Sequence, residues 1–194
     1  VSYWHIENTF TNRKPCSIMV KNKGGMYMEL RICSCDADIR ALAALATEIW
    51  HEYFTAIISK EQIDYMVEKF QSYPALKKAI EEENYTYFLA YEEGAMIGFC
   101  GVKPEKDRLF LSKLYLHKKA RGKGLSSILL KRAISFAREQ DKKAIYLTCN
   151  KFNQHSLDVY RAKGFKDIDS VQTDIGQGFI MDDYILQLEL DDGK

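Results

Sequence analysis

Residues 114–127 read LYLHKKARGKGLSS and connect a predicted strand, residues 109–117, to a predicted helix, residues 125–139. Glycine adopts left-handed backbone conformations at little cost, so Gly122 and Gly124 let successive backbone N–H groups point into one concavity. The helix adds its own unpaired N–H groups and the positive end of its dipole at the same place. Such a loop suits an anion, and a pyrophosphate in particular.

The loop is also cationic, because two lysines at 118–119, Arg121 and Lys123 lie in it without an acidic residue. A solvated glycine turn is the alternative, since a single Gly-x-Gly is a weak signal. Two other phosphate loops do not match. The chain has no Gly-x-x-x-x-Gly-Lys-Ser/Thr sequence, and the third glycine of a dinucleotide fingerprint is missing. The interpretation therefore depends on the sequence around the loop.

The composition describes one domain of ordinary size. The 194 residues are 46% hydrophobic and 28% charged, with 11 Gly and 3 Pro, which excludes collagen-like and disordered classes. Lys and Arg number 28 against 27 Asp and Glu, so a formal net charge of +1 gives no general attraction to nucleic acid or anionic lipid. No apolar run approaches the roughly 20 residues that cross a bilayer. An anion site must therefore be local.

The five cysteines favour reduced thiols in a cytoplasmic protein. Their number is odd, and Cys33 and Cys35 stand too close together for the usual zinc or redox pair. No histidine cluster accompanies them, so no metal site is predicted. The N-terminal region also lacks the apolar core of a signal peptide.

The start of the chain differs from the rest. Residues 1–27 show no sustained hydrophobic period and are interpreted as an N-terminal extension or upstream segment, with the domain in residues 28–194. Met26 or Met28 could then be the true initiator. The alternative is a genuine extension that packs on the core or on a partner.

The remaining pattern predicts a mixed sheet covered by helices. A first strand at 29–33 precedes three helices, which start near Asp36, Ser59 and Pro74. The predicted elements after these helices are strands 85–91, 96–102 and 109–117, helix 125–139, strand 144–149, a short helix 154–163 that ends at Gly164, and strands 166–173 and 179–190. This order indicates an α/β fold of the α+β type, with a mixed, mostly antiparallel central sheet and helices on both faces.

The order of these elements and their motifs resemble the GNAT N-acetyltransferases. That family combines a strand, an x-x-Gly-x-Gly loop and an apolar helix with a later strand and an Asn-led helix that ends in Tyr-x-x-x-Gly-Phe. Here the second half reads NQHSLDVYRAKGF, residues 153–165. The resemblance extends over residues 29–190. One departure is Lys119, where the family usually has Gln or Arg.

The resemblance implies a binding site for acetyl-CoA and no metal. Backbone groups around Leu114 and Leu116 would pair with the pantetheine arm, and Asn153 would contact it. The catalytic groups would be the N–H of Leu116, as a donor to the acetyl carbonyl, and Tyr160, as the general acid that protonates the leaving thiolate. The pyrophosphate would bind the loop made of Lys119, Arg121, Gly122, Lys123, Gly124, Leu125 and Ser126.

An amine acceptor also needs a base, because an alkylammonium group has a pKa of about 10.4. The acidic and histidine candidates lie on predicted helices, where a solvated helix face is the competing interpretation. Tyr115 could help through a water. The base is therefore left unassigned among Glu48, His51, Glu52, Glu82, Glu83 and Tyr115.

Two segments bear on the acceptor. Residues 49–54, IWHEYF, combine aromatic faces with an acid and suit a cationic amine, although two of the aromatic residues are also spaced as core residues. Residues 173–184 resemble the end of bacterial spermidine/spermine N-acetyltransferases. The alternative for this second segment is a hairpin turned by its glycines, with Asp182 and Asp183 exposed.

The leading hypothesis is an N-acetyltransferase that moves acetyl from acetyl-CoA to a primary amine of a small molecule, with a polyamine as one candidate. The alternatives are a protein or peptide N-acetyltransferase, a non-catalytic acyl-CoA-binding sensor, and nucleic-acid binding through the basic loop. Four cations beside a helix terminus match one pyrophosphate better than a nucleic-acid backbone. The predicted partner is thus a small amine, with neither nucleic acid nor membrane, and a homodimer is left open.

Overall fold

The structure is a computed structural model that describes residues 17–21, 25 and 27–190. In this part of the chain the strands are β1 (Ser17–Lys21), β2 (Tyr27–Ile32), β3 (Thr86–Glu92), β4 (Ala95–Pro104), β5 (Arg108–Leu116), β6 (Ala144–Asn150), β7 (Lys166–Gly176) and β8 (Phe179–Glu189). The α-helices are α1 (Asp36–Tyr53), α2 (Lys60–Gln71), α3 (Tyr73–Glu81), α4 (Leu125–Glu139) and α5 (Gln154–Ala162). The strands form one sheet in the order β1-β2-β3-β4-β5-β6-β8-β7.

Local sequence signals explain where the helices start and stop. The hydroxyl of Ser59 accepts a hydrogen bond from the backbone N–H of Gln62 (3.1 Å) and caps α2. Pro74 lies in the first turn of α3, where a missing N–H removes no helical hydrogen bond. Gly164 follows α5 with a φ of +92°, the left-handed conformation that ends many helices. These boundaries confirm the sequence-based predictions.

The sheet carries a core on each face, because successive side chains on a strand point to opposite sides. On β3, Phe88 and Ala90 pack in the core that includes α4, whereas Tyr87 and Leu89 pack in the core that includes α1 and α3. All neighbouring strands are antiparallel except β5 and β6. The predicted mixed sheet with helices on both faces is confirmed.

The beginning of the sheet differs from the prediction. β2 starts at Tyr27, where a strand at 29–33 was expected, and Ser17–Lys21 pairs with it in antiparallel register as an edge strand. The short β1 was missed because its alternation is too brief to stand out from the polar sequence around it. Residues 1–16 lie outside the described part, so the interpretation of residues 1–27 as an extension stays a prediction.

The parallel pair of strands separates before it ends. β5 and β6 are paired only from Arg108↔Ala144 to Phe110↔Tyr146, although both strands continue beyond that point. The register between β4 and β5 also shifts, because Gly101 lies opposite Lys113 and Val102 lies opposite Leu111. Ser112 is therefore an extra residue, a β-bulge, which bends the strand. The result is an opening through the sheet between β5 and β6.

Within the described residues, no helix has both the length and the apolar character that a membrane span requires.

Candidate active site

A cavity of about 650 Å³ lies where β5 and β6 separate, and residues from both faces of the sheet line it. We call its two parts the α4–α5 half and the α1–α2 half, after the helices that contribute to each wall. The α4–α5 half includes Leu114, Leu116, Gly122, Ser126, Asn153 and Tyr160. The α1–α2 half includes Trp50, Phe54, Gln71, Lys113, Tyr115 and Asp183. The opening in the sheet thus joins two walls that would otherwise lie on opposite faces.

The end of β5 presents backbone groups to this opening. The N–H of His117 donates to the carbonyl of Ile97 on β4 (2.9 Å), so residue 117 is turned towards β4. Backbone groups alternate along an antiparallel ladder, so the groups of Leu116, and of Leu114 two residues earlier, point away from β4. They face the side from which β6 has departed. The carbonyl of Leu116 accepts a hydrogen bond from Nε of Arg121 (3.1 Å).

The glycine loop has the predicted conformation. Gly122 and Gly124 have φ angles of +77° and +78°, and Gly124 is the residue before the first turn of α4. No side chain of the described residues caps that helix, so the N–H groups at its start are available to an anion. A Cβ atom at Gly122 would have no atom within 4 Å, so the backbone conformation alone demands glycine there. These features fit a pyrophosphate.

The side chains of the loop do not all face the proposed anion site, although the sequence had indicated that they would. Lys119 and Lys123 are exposed and do not line the cavity, and the side chain of Leu125 is buried in the α4 core. Arg121 points to α1, where it forms a two-pronged ion pair with Glu52 (3.1 and 2.5 Å). Its guanidinium therefore ties the loop to α1 and is not a free cation.

Asn153 is held by two hydrogen bonds. It is the residue before α5, and its Oδ1 atom accepts from the backbone N–H of Ser156 (3.3 Å) and from the hydroxyl of Tyr53 on α1 (3.0 Å). The side chain is buried at the cavity wall. The bond from Tyr53 thus connects the end of α1 to the start of α5, although the two residues are 100 positions apart in the chain.

Tyr160 lines the same half of the cavity from α5. Its ring packs edge-on against Phe165, with the ring centres 5.5 Å apart. Its hydroxyl donates no hydrogen bond to the described residues. Burial raises the pKa of Tyr160, so the phenol is protonated at neutral pH.

Among the base candidates that the sequence offered, the acids and the histidine do not line the cavity. Glu48 pairs with His117 (2.9 Å). His51 pairs with Asp64 (2.7 Å), which raises the pKa of the imidazole. The hydrogen bonds from Arg121 lower the pKa of Glu52. Glu83 forms an ion pair with Lys78 (3.4 Å). Tyr115 does line the cavity, and burial raises its pKa. Glu82 is exposed and, like the other acids, stands away from the cavity.

The structure brings in two charged residues that the sequence analysis did not single out as site residues, Asp183 and Lys113. Asp183 is 8% exposed, and its Oδ1 atom has no hydrogen-bond partner among the described residues. Burial, and then the negative charge of Asp182, raise the pKa of Asp183 to about 6. Asp182 itself pairs with Lys151 (2.6 Å). The alternative that left both aspartates exposed is therefore wrong for Asp183.

Lys113 lies on β5 directly after the bulge. Burial lowers its pKa to about 8. Its Nζ atom lies 3.4 Å from the hydroxyl of Ser112, and 5.4 and 5.6 Å from the ring centres of Tyr85 and Tyr87. It forms no ion pair with any described residue.

The aromatic segment on α1 and the C-terminal hairpin close the α1–α2 half. Trp50 and Phe54 stack with ring centres 4.3 Å apart, and they are both core residues and cavity walls. Gly176 and Gly178 have positive φ angles at the β7–β8 turn, so these glycines do turn a hairpin. The hydroxyl of Tyr65 on α2 donates to the carbonyl of residue 175, which ties the hairpin to α2.

Comparison with known proteins identifies the class of protein that has this fold and this split parallel pair. The family described as the acetyltransferase (GNAT) family matches residues 43–165 of this chain. The chain therefore belongs to the GNAT family and is an acetyltransferase, as the resemblance implied.

Relatives with assigned names include two polyamine acetyltransferases. A probable spermine N(1)-acetyltransferase of Bacillus subtilis subsp. natto is 31% identical over 118 residues, which cover 56% of this chain and 76% of that protein. The spermidine N(1)-acetyltransferase of Thermoplasma acidophilum is 26% identical over 161 residues, which cover 81% of this chain and 97% of that protein.

Solved structures share the fold at lower identity. The PaiA N-acetyltransferase of Thermoplasma acidophilum, crystallised in complex with coenzyme A, has a TM-score of 0.69 at 21% identity, over 83% of this chain and 99% of that one. The acetyltransferase yncA of Salmonella typhimurium, solved with acetyl-CoA, has a TM-score of 0.60 at 21% identity, over 86% and 95% of the two chains.

Proposed function

We propose that this enzyme transfers the acetyl group of acetyl-CoA to the primary amine of a small molecule that binds in the α1–α2 half of the cavity. The observation that carries the proposal is the opening between β5 and β6. It places the phenol of Tyr160 and the backbone of Leu116 next to a second wall of aromatic and charged side chains. An acyl donor on one side of the sheet could thus meet an acceptor on the other.

The chain's own groups suit the donor. The N–H groups of the glycine loop and of the start of α4, contributed by Arg121 to Ser126, would bind the pyrophosphate. The exposed Lys119 and Lys123 would add positive charge around it. The outward-facing backbone of Leu114 and Leu116 would pair with the pantetheine arm as an additional strand would. Asn153, already fixed by its two hydrogen bonds, would contact the same arm.

Two groups would act on the reacting atoms. The N–H of Leu116 would donate to the carbonyl oxygen as it gains charge. The neutral amine nitrogen forms a bond to the carbonyl carbon and loses a proton to a base, the carbon–sulfur bond breaks, and Tyr160 gives its proton to the departing thiolate. A protonated phenol is needed for this role. A phenol is protonated at neutral pH at its ordinary pKa of about 10, and burial, which raises the pKa of Tyr160, keeps it so. No covalent bond to the protein is required.

A small acceptor is favoured over a protein because α2 and the β7–β8 hairpin are bonded to each other across this half of the cavity. Polyamines are one candidate class, supported by the names of the relatives. The aromatic faces of Trp50 and Phe54 also suit a cationic amine. We place the reaction in the cytoplasm, in agreement with the reduced cysteines.

The direct test is the replacement of Tyr160 by Phe. We expect Tyr160→Phe to lower kcat by about 100-fold or more and to leave coenzyme A affinity nearly unchanged, because only the proton donor is lost. Release of thiol from acetyl-CoA, measured across polyamines, aminoglycosides, amino acids and short peptides, gives the rate.

The matched control is Tyr146→Phe, which removes a hydroxyl that is bonded to Glu105 away from the cavity. An unchanged rate for Tyr160→Phe with the best amine would remove the proposed role of Tyr160. Coenzyme A binding without thiol release from any acceptor would favour the sensor over the enzyme.

A further inference from the structure

Two charged side chains in the α1–α2 half of the cavity have no partner of opposite charge among the described residues. They are Asp183 and Lys113. They have opposite signs, yet they do not pair with each other, since every ion pair of the described part is formed by other residues. Asp183 is buried and Lys113 is half-buried. A charge withdrawn from water without a partner destabilises the folded protein, so two unpaired charges of opposite sign in one cavity indicate a ligand that compensates both.

Asp183 is unpartnered because its neighbour takes the nearby cation. Lys151 pairs with Asp182 on the other face of β8 (2.6 Å), while Asp183 points with Met181 into the cavity. The residues directly opposite on the adjacent strands are Asn150 and Val171, and neither carries a charge. Asp183 is the only carboxylate among the described residues that line the cavity. An ammonium group of a ligand would supply the missing partner.

Lys113 reaches this half because of the bulge at Ser112. In a regular strand Lys113 would point to the same side as Leu109 and Leu111, which pack in the α4 core. The extra residue reverses the direction of the side chains that follow, and Lys113 lies against Tyr85 and Tyr87 instead. Aromatic faces and one hydroxyl surround it, and the carboxylate whose charge acts on it, Glu83, forms its ion pair with Lys78 (3.4 Å). An anionic group of a ligand would fill that role.

We propose that the acceptor is a zwitterion, a primary amine whose other end bears an anionic group such as a carboxylate. The proposal rests on the acetyltransferase function proposed above and names the acceptor class. The ammonium binds at Asp183, whose carboxylate takes one of its protons and so frees the lone pair with which the nitrogen then attacks, and the anionic end binds at Lys113. A polyamine would bring a second ammonium towards Lys113, and repulsion between like charges disfavours that arrangement.

Matched pairs of acceptors test the proposal on the whole chain. 4-Aminobutyrate, 5-aminopentanoate and 6-aminohexanoate are compared with putrescine, cadaverine and 1,6-diaminohexane, so that each pair differs in one end group. We expect kcat/KM for the best amino acid to exceed that of its diamine about tenfold or more, since a charged hydrogen bond contributes that much. Thiol release from acetyl-CoA is the readout.

Replacement of Lys113 by Met keeps the length of the side chain and removes its charge. We expect Lys113→Met to raise KM for the amino acid about tenfold and to abolish the preference over the diamine. Lys103→Met is the matched control, because Lys103 also lies 5.4 Å from the ring centre of Tyr85 but does not line the cavity. It should leave both values unchanged.

The outcomes separate the two levels of the proposal. Faster turnover of diamines than of every matched amino acid by the wild-type enzyme, with no change in Lys113→Met, overturns the zwitterionic acceptor and leaves the acetyltransferase function intact. The absence of thiol release with every amine overturns both.

Discussion

The two halves of the cavity differ in the groups that they offer to a ligand. The α4–α5 half offers backbone groups, at Leu114, Leu116 and the glycine loop, whose positions follow from one continuous stretch of chain. The α1–α2 half offers side chains from separate elements, with Lys113 on β5 and Asp183 on β8. Backbone recognition leaves a short motif in the sequence, whereas recognition by scattered side chains leaves none. The conformation of the glycine loop could therefore be predicted from the sequence, and the charged side chains of the α1–α2 half could not.

In the acceptor half the expected effect on catalysis is large. We expect Asp183→Asn to lower kcat/KM for the amine by about 100-fold, because the variant can neither hold the ammonium as a charge pair nor accept its proton. Coenzyme A affinity should stay unchanged. Asp182→Asn is the control, since Asp182 pairs with Lys151 and does not line the cavity. Equal effects of the two substitutions would refute a special role for Asp183.

The donor half is tested by its glycine conformation. We expect Gly122→Val to weaken coenzyme A binding about tenfold or more, because a β-branched residue strains the left-handed backbone that presents the N–H groups. Calorimetric titration measures the affinity. Gly94→Val is a matched control, because Gly94 has a φ of +79° and Gly122 has a φ of +77°. A Cβ atom at either position would have no atom within 4 Å. If both variants bind coenzyme A equally well, the loop is not the pyrophosphate site.

The two halves should also differ in how kcat/KM for the amine and coenzyme A affinity depend on pH. Asp183 must be ionised to bind an ammonium, so kcat/KM for the amine should fall about tenfold per pH unit below its pKa of about 6. Its titratable neighbours are Asp182 and Lys151, which pair with each other, and Tyr115 and Cys149, whose pKa values burial raises. Coenzyme A affinity should show no such step. A flat amine profile between pH 5 and about pH 7 would contradict the role of Asp183.

A further expected effect is on stability. Asp183 has a folded-state pKa of about 6 against an ordinary value of 3.8, so the folded protein binds this proton more tightly than the unfolded chain does. Its contribution to the free energy of unfolding therefore falls as pH rises from about 4 to about 6, and stays low above that. Asp183→Asn should raise that free energy at pH 8 by up to about 3 kcal/mol. Denaturant unfolding at pH 4 and pH 8 measures it, and a loss of stability at pH 8 would contradict the unpaired carboxylate.

More of the fold than of the candidate site could be predicted from the sequence. The periodic segments between Asp36 and Leu190 were assigned to the observed helices and strands because hydrophobic period, caps and glycine turns are local signals. The short edge strand Ser17–Lys21 was missed, because its formation depends on pairing with β2 and not on a strong local pattern in its own sequence. Asp183 carried a weaker signal, because the alternation of β8 turns one of two adjacent acids inward, but the sequence does not say which one.

By itself, the sequence determined the order of elements, the family, and the glycine loop with its helix start, because each depends on residues that are neighbours along the chain. Only the tertiary structure decided which charges enter the cavity. Arg121 lines the cavity from the glycine loop, but its guanidinium pairs with Glu52 on α1 and therefore adds no unpaired charge there. The bulge at Ser112 turns the side chain of Lys113 towards the cavity, and the register of β8 does the same for Asp183. The face to which a strand's side chains point depends on pairing between segments that are far apart in the chain.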